Sequence, residues 1–141
     1  MGSWLALRLK RNGPSSTRQA PGTELYTLDL KKGEGRTAEQ GDILTVDYTV
    51  WLHDSRATDA KGQYIDSSLE NGSPFSFRLG AGHAIRGWDQ GLAGMAVGGK
   101  RMLIVPPQLA YGRQGAGGLI PPDATLVFDV DLCTLQKGDG D

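Results

Sequence analysis

Cysteine is almost missing from this chain: Cys133 stands alone, so no internal disulfide can form and the domain is expected to tolerate reducing conditions. Histidine is nearly as scarce. His53 and His83 are the only two, no CxxC or HExxH spacing accompanies them, and the usual zinc motifs are therefore excluded, leaving both as expected surface residues. Nothing signals a Cys-His nucleophile pair, so Cys133 reads as a strand residue. No apolar run approaches the roughly 20 residues that a membrane-spanning helix needs. An excess of charge is missing too: 15 basic and 16 acidic residues leave a net charge of -1, too weak a field to gather nucleic acid or an anionic membrane. Gly80-Ala81-Gly82 lacks the Lys-Ser/Thr ending of a phosphate loop and reads as a tight turn entering a helix.

Glycine is plentiful instead, 21 of 141 residues, about twice the usual share, which points to many turns and to strands rather than long helices. The length fits a single domain able to hold a core. Residues 1–23 carry Arg8, Lys10, Arg11 and Arg18 without one acidic residue, together with Gly13-Pro14-Ser15-Ser16 and Pro21-Gly22, and are expected to form a flexible basic tail. Cytoplasmic location is the expectation. The Arg and Ser content of the tail leaves an organelle transit segment as the alternative, beside a disordered arm or an expression remnant. Met1-Gly2 does not continue as a myristoylation motif, because Ala6 stands where Ser or Thr is required. A nucleic-acid adaptor would have only the four tail bases to work with, and no aromatics interleave them.

The folded domain is expected over 24–136, with a second flexible tail at 137–141. Tyr26, Leu28 and Leu30 alternate with Leu25, Thr27 and Asp29, as in a strand that ends in a loop at Gly33-Glu34-Gly35. In the run from Ile43 to Asp54, Leu44, Val46, Tyr48, Val50 and Leu52 share one face. Residues 54–63 are polar and predict an exposed loop, Lys61 included, before a short strand at Tyr64-Ile65-Asp66. Phe75, Phe77 and Leu79 alternate again, and further strands are predicted over 100–105 and 125–135, with a Gly- and Pro-rich stretch over 106–122 between them. Ile85, Trp88 and Leu92 fall at i, i+3 and i+7, one face of a short helix within 84–95 that Gly87 and Gly91 weaken. Strands dominate, one internal helix interrupts them and no βαβ rhythm appears. The predicted fold is α+β, a half-open curved antiparallel β-sheet wrapped around one short α-helix.

Aromatic and apolar residues gather beside special backbone: Val46-Asp47-Tyr48-Thr49, Ile65-Asp66-Ser67-Ser68, Ile85-Arg86-Gly87-Trp88-Asp89, Pro107-Gln108-Leu109-Ala110-Tyr111-Gly112 and Ile120-Pro121-Pro122-Asp123-Ala124-Thr125-Leu126-Val127-Phe128-Asp129. With these strings in this order, the chain from about Thr23 to Leu135 resembles the FKBP-type peptidyl-prolyl cis/trans isomerases. The resemblance implies a pocket between helix and sheet, with Trp88 as floor and Tyr48, Phe75, Phe128 and Ile85 as walls. It places Tyr111, Leu119 and Ile120 on a loop overhanging the mouth and Asp66 at the rim. Ile65 and Ala84 complete the wall and depart from the family pattern, since an aromatic residue usually precedes the Asp and Val the helical Ile. The substrate-binding set is thus Trp88, Phe75, Phe128, Ile65, Ala84, Leu119 and Ile120, and the catalytic set Asp66, Tyr48, Tyr111 and Ile85, the last through a backbone N–H.

The implied activity is rotation of X-Pro bonds in peptides and unfolded proteins, assisting folding. It breaks no bond to carbon and so calls for no metal or coenzyme. The implied partners are proline-containing peptides and macrolides such as rapamycin, the latter bound less tightly because Ile65 and Ala84 make smaller walls and the loop before Ile65 is long. No nucleic acid or membrane partner is implied, and the expected state is a monomer. A competing reading keeps the pocket as a proline-peptide binding module or chaperone with low turnover, because grip and catalysis need different geometries.

Overall fold

The computed structural model describes residues 24–138. Its organising strand is β3 (Ile43–His53), where Leu44, Val46, Tyr48 and Val50 are buried and the residues between them are not, so the period-two pattern of the sequence is the period of burial. β3 pairs along its length with β8 (Leu126–Gln136). Outside β8 lie β7 (Lys100–Val105) and then β1 (Tyr26–Lys31), and with β4 (Lys61–Ser67) beyond β3 the order is β1-β7-β8-β3-β4, every pairing antiparallel. The other side of β3 is shared: β4 covers Thr49–His53 and β5 (Phe75–Arg78) covers Ile43–Val46. A one-turn helix, α1 (Ser68–Asn71), fills the break between them.

Register shifts in the β1/β7, β3/β4 and β3/β8 pairings bend this sheet. Into its concave side fits α2 (Arg86–Gly91), with Trp88 fully buried. Gly87 and Gly91 have a purpose beyond weakening that helix. A Cβ on Gly87 would come within 2.5 Å of Val105 Cγ1, and one on Gly91 within 2.5 Å of Leu103 Cδ2. The helix therefore lies on β7 at a distance that only glycine allows. The predicted α+β fold, a half-open curved sheet around one short helix, is the fold observed.

Local differences have physical causes. The loop after β1 is only Lys32-Gly33, because Glu34–Thr37 already forms β2 against β6 (Ala96–Val97), a partner some 60 residues on that no local pattern announces. The 54–63 loop is shorter than expected, since β4 already begins at Lys61 opposite His53. Lys61 is consequently not an exposed loop residue. Its ammonium lies 2.7 Å from Asp129 Oδ2 and 4.5 Å from the Trp51 ring centroid, both brought to it by strand pairing. In β1, Tyr26, Leu28 and Leu30 alternate as a strand should, yet they face solvent on the outer side of the sheet. His53 and His83 are exposed. The basic tail expected at 1–23 lies outside the described residues. Of the segment 137–141, Lys137 and Gly138 are described, and Gly138 is buried with its carbonyl accepting from Arg78 Nη1. Among the described residues no helix is long and apolar enough to cross a membrane.

Two stability predictions follow from this packing. Gly87→Ala or Gly91→Ala should destabilise by about 1 to 3 kcal/mol, although alanine is the better helix former, whereas Ala at exposed Gln90 should not. Urea midpoints of the three variants provide the check, and equal midpoints would contradict the close approach. At the turn leading into β3, Asp42 accepts from Arg36 Nη2 at 2.7 Å and Glu39 N at 2.9 Å. Burial pushes its carboxyl up, but the Glu39 and Gly138 N–H groups and the Arg36 guanidinium outweigh that and hold it below its ordinary 3.8. A lowered folded pKa stabilises above the unfolded value and loses that stabilisation as pH falls through the folded one. Asp42→Asn should therefore lower stability at pH 7 and flatten its decline below about pH 4, as read from unfolding midpoints across pH.

Candidate functional site

Trp88 sits at the centre of a ring of aromatics contributed by three strands. Tyr48 from β3, Phe128 from β8 and Phe75 from β5 meet it edge-on at 5.5, 5.4 and 5.8 Å between centroids, and Phe77 from β5 lies tilted against it at 5.5 Å. T-shaped contacts of this kind set the positive edge of one ring against the negative face of another and fix both orientations. Phe77 was not among the expected site residues. It alternates with Phe75 on one face of β5, and that spacing was the available signal.

Ile85, Ala84, Ile65, Tyr111 and Ile120 are buried in the same apolar cluster, with Phe75 packed against it at partial exposure. Leu119 is not brought in. It projects at 45% exposure from a small loop closed by Ala116 N to Ile120 O at 2.8 Å and Ile120 N to Ala116 O at 3.1 Å, so two neighbours expected to act together face opposite ways. Ile85 precedes the first turn of α2, where its carbonyl accepts from Trp88 N and Asp89 N and its own N–H belongs to the set that a helix leaves without an internal partner.

Asp66 owes its aim to a bulge. Val50 pairs with Asp66 and Trp51 with Tyr64, so Ile65 is the extra residue of β4, and Asp66 comes to lie opposite core-facing Val50 while half-exposed itself. Asn71 Nδ2 donates to Asp66 Oδ1 at 3.4 Å and to Ser67 O at 2.8 Å. Nearby, the Tyr64 hydroxyl donates to Glu70 at 2.5 Å, and burial together with that carboxylate pushes the phenol above its ordinary value. The site thus has an apolar floor and walls, with Asp66 and its hydrogen-bond partners along the rim that the end of β4 forms.

Two other places carry groups of potential chemistry. A cavity of about 240 Å³ beside β1 and β6, lined by Lys31, Lys32, Gly33 and Arg101 among others, contains none of the expected site residues. Its Arg101 is already committed to Asp29 Oδ1 at 2.6 Å and to the carbonyls of Gly91 and Ala93, which makes it a poor receptor for an anion. Cys133 is the extra residue of a second bulge, facing solvent with its thiol 3.4 Å from Asp47 Oδ2. Burial and the Asp47 carboxylate raise its pKa, the reverse of what a nucleophile needs.

Residues 34–133 match the family described as FKBP-type peptidyl-prolyl cis-trans isomerase. The chain belongs to that family. It is 47% identical over 113 residues to an FK506-binding protein of Neisseria meningitidis, covering 80% of this chain and 97% of that one. It is 52% identical over 103 residues to FK506-binding protein 2B of Rhizopus delemar, covering 73% of this chain but only 46% of the relative, so it spans about half of that longer protein. Among solved structures it is similar to AtFKBP13, with TM-score 0.66 and 39% identity over 78% of this chain and 91% of that one. FkpA from Escherichia coli gives TM-score 0.68 and 37% identity over 84% of this chain and 51% of its own.

The chemistry at Cys133 can be checked directly. Iodoacetamide at pH 8 should label it more slowly than a free cysteine peptide, and Cys133→Ser should leave isomerase turnover unchanged. Labelling as fast as the peptide would contradict a raised pKa.

Proposed function

We propose that this FKBP-type isomerase turns X-Pro bonds of peptides and unfolded chains in the Trp88 pocket, with Trp88, Phe75, Phe77 and Phe128 as the apolar bed and Tyr48 and Asp66 as the polar edge. The observation that carries the reading is the four-ring enclosure of Trp88 with a carboxylate aimed at its rim by the β4 bulge. The reaction is slow in water because the partial double bond must twist through about 18 to 20 kcal/mol. A planar amide is more dipolar than a twisted one, so water favours the ground state, and an apolar bed removes that advantage. Ile85 N–H is suited to hold the substrate carbonyl, and the Tyr48, Tyr111 and Asp66 polar groups to steady the end that rotates. A million-fold acceleration asks these effects for about 8 kcal/mol together, which requires that the twisted amide be bound better than either planar form.

Trp88 has no solvent-exposed surface, so a proline ring reaches the indole only as neighbouring side chains give way. FK506-type macrolides share the pocket in this reading, held less tightly than by minimal family members because Ile65 and Ala84 offer smaller walls with less contact surface. A single copy supplies every residue named, which supports a monomer as the working state.

Exchange spectroscopy on a short X-Pro peptide tests the activity: micromolar protein should accelerate cis/trans exchange, and no rate gain would refute it. Asp66→Ala should cut kcat/KM by about tenfold while the fold persists, and Lys32→Ala, at an exposed lysine, should not. An Asp66→Ala variant at the wild-type rate would remove that carboxylate from the mechanism.

A further inference from the structure

The break between β4 and β5 leaves one residue of β3 facing an interrupted edge. In an antiparallel strand the N–H and C=O of one residue point to the same side, and those of Tyr48 point away from β8, toward the gap that begins after Ser67 and ends at Phe75. No strand residue is there to pair with them. Buried backbone groups cannot be left without partners, and two serine hydroxyls take the place of the missing rung. Tyr48 N donates to Ser68 Oγ at 2.9 Å, and Ser67 Oγ donates to Tyr48 O at 3.1 Å. Both serines are buried.

Each hydroxyl has one proton, and the surrounding bonds specify where it goes. Ser67 Oγ gives its proton to Tyr48 O and accepts from Leu69 N at 3.2 Å, capping α1, with Thr49 Oγ1 at 2.9 Å as a further donor. Ser68 Oγ accepts from Tyr48 N and gives its proton to Asp47 Oδ1 at 2.8 Å, an ionised acceptor that strengthens the bond. Neither hydroxyl is free to rotate. Asp66 directly precedes this pair, and Asn71 ties Asp66 Oδ1 and the Ser67 carbonyl together from the far side of α1.

We infer that Ser67 and Ser68 are positioning residues of the isomerase, clasping the Tyr48 peptide so that the Tyr48 ring and the Asp66 carboxylate keep a fixed relation across the pocket mouth. The inference rests on the activity proposed above. Strand pairing alone would align Tyr48 with a neighbouring strand residue and leave no place for α1 beside it. The clasp satisfies the backbone where α1 interrupts the strand edge, and both polar groups of the rim are anchored to one segment, the end of β4 and the start of α1. A shift of either by about 1 Å would cost catalysis far more than binding.

The test is steady-state kinetics on a short X-Pro peptide with Ser67→Ala, Ser68→Ala, Ser67→Thr and, as a buried change away from the site, Leu132→Ala. Both alanine variants should lose about tenfold in kcat with KM within about twofold, while Ser67→Thr, which keeps the hydroxyl, recovers most of the loss. In a Tyr48→Phe background the same serine changes should have a much smaller effect, since the group they position is gone. Folded Ser67→Ala and Ser68→Ala at the wild-type kcat would overturn the clasp. So would a fall in Leu132→Ala as large as theirs, or full additivity with Tyr48→Phe. If Ser68→Ala does not fold, Ser67→Ala, which retains the bond from Tyr48 N, decides the matter. Wild-type protein without rate gain would instead refute the activity itself, so the two failures are distinguishable.

Discussion

An indole can be buried completely in a domain this small only if the helix that carries it lies close against the sheet, and at α2 that distance is set by two glycines. Gly87 faces Val105 and Gly91 faces Leu103 at separations that exclude a Cβ. With the helix so low, Trp88 reaches rings from β3, β5 and β8 at once. The aromatic pocket and the hydrophobic core are therefore one body of packed side chains. Rigidity of the core is passed directly to the walls of the site, since close-packed interiors do not deform gradually.

Irregular backbone brings Asp66 and the Tyr48 peptide to the margin of this apolar body. The bulge at Ile65 aims Asp66 inward, and the break between β4 and β5 brings α1 against Tyr48. Both irregularities would weaken a sheet left to itself. Here the hydroxyls of Ser67 and Ser68 and the amide of Asn71 restore the missing hydrogen bonds. For a reaction that makes and breaks no covalent bond, such an arrangement is sufficient: a dry bed for the amide, a few fixed dipoles at its margin, and a frame that holds both still.

Much of the candidate site was legible in the sequence. The alternation through β3 marked Tyr48 as core-facing, the i, i+3, i+7 spacing put Ile85, Trp88 and Leu92 on one helix face, and the ordered motifs identified the family. Other features left no local trace. Alternation puts Phe77 on the same face of β5 as Phe75, but its contact with Trp88, remote in sequence, exists only through β5 pairing with β3. Leu119 and Ile120 are adjacent and both apolar, and only the closure of their loop sends one inward and the other to solvent. Lys61 read as a loop lysine, since its partners Asp129 and Trp51 lie on two other strands.

By itself the sequence determined the near-absence of thiol and imidazole chemistry, the strand and helix periods, and the family to which the chain belongs. These depend on residue identity and short-range spacing, which the chain carries wherever it folds. Tertiary structure alone decided how deep Trp88 lies, why Gly87 and Gly91 are required, and how the Tyr48 backbone is satisfied at a broken edge. Each of those is a distance between segments remote in sequence, set when the sheet bends and closes on its helix.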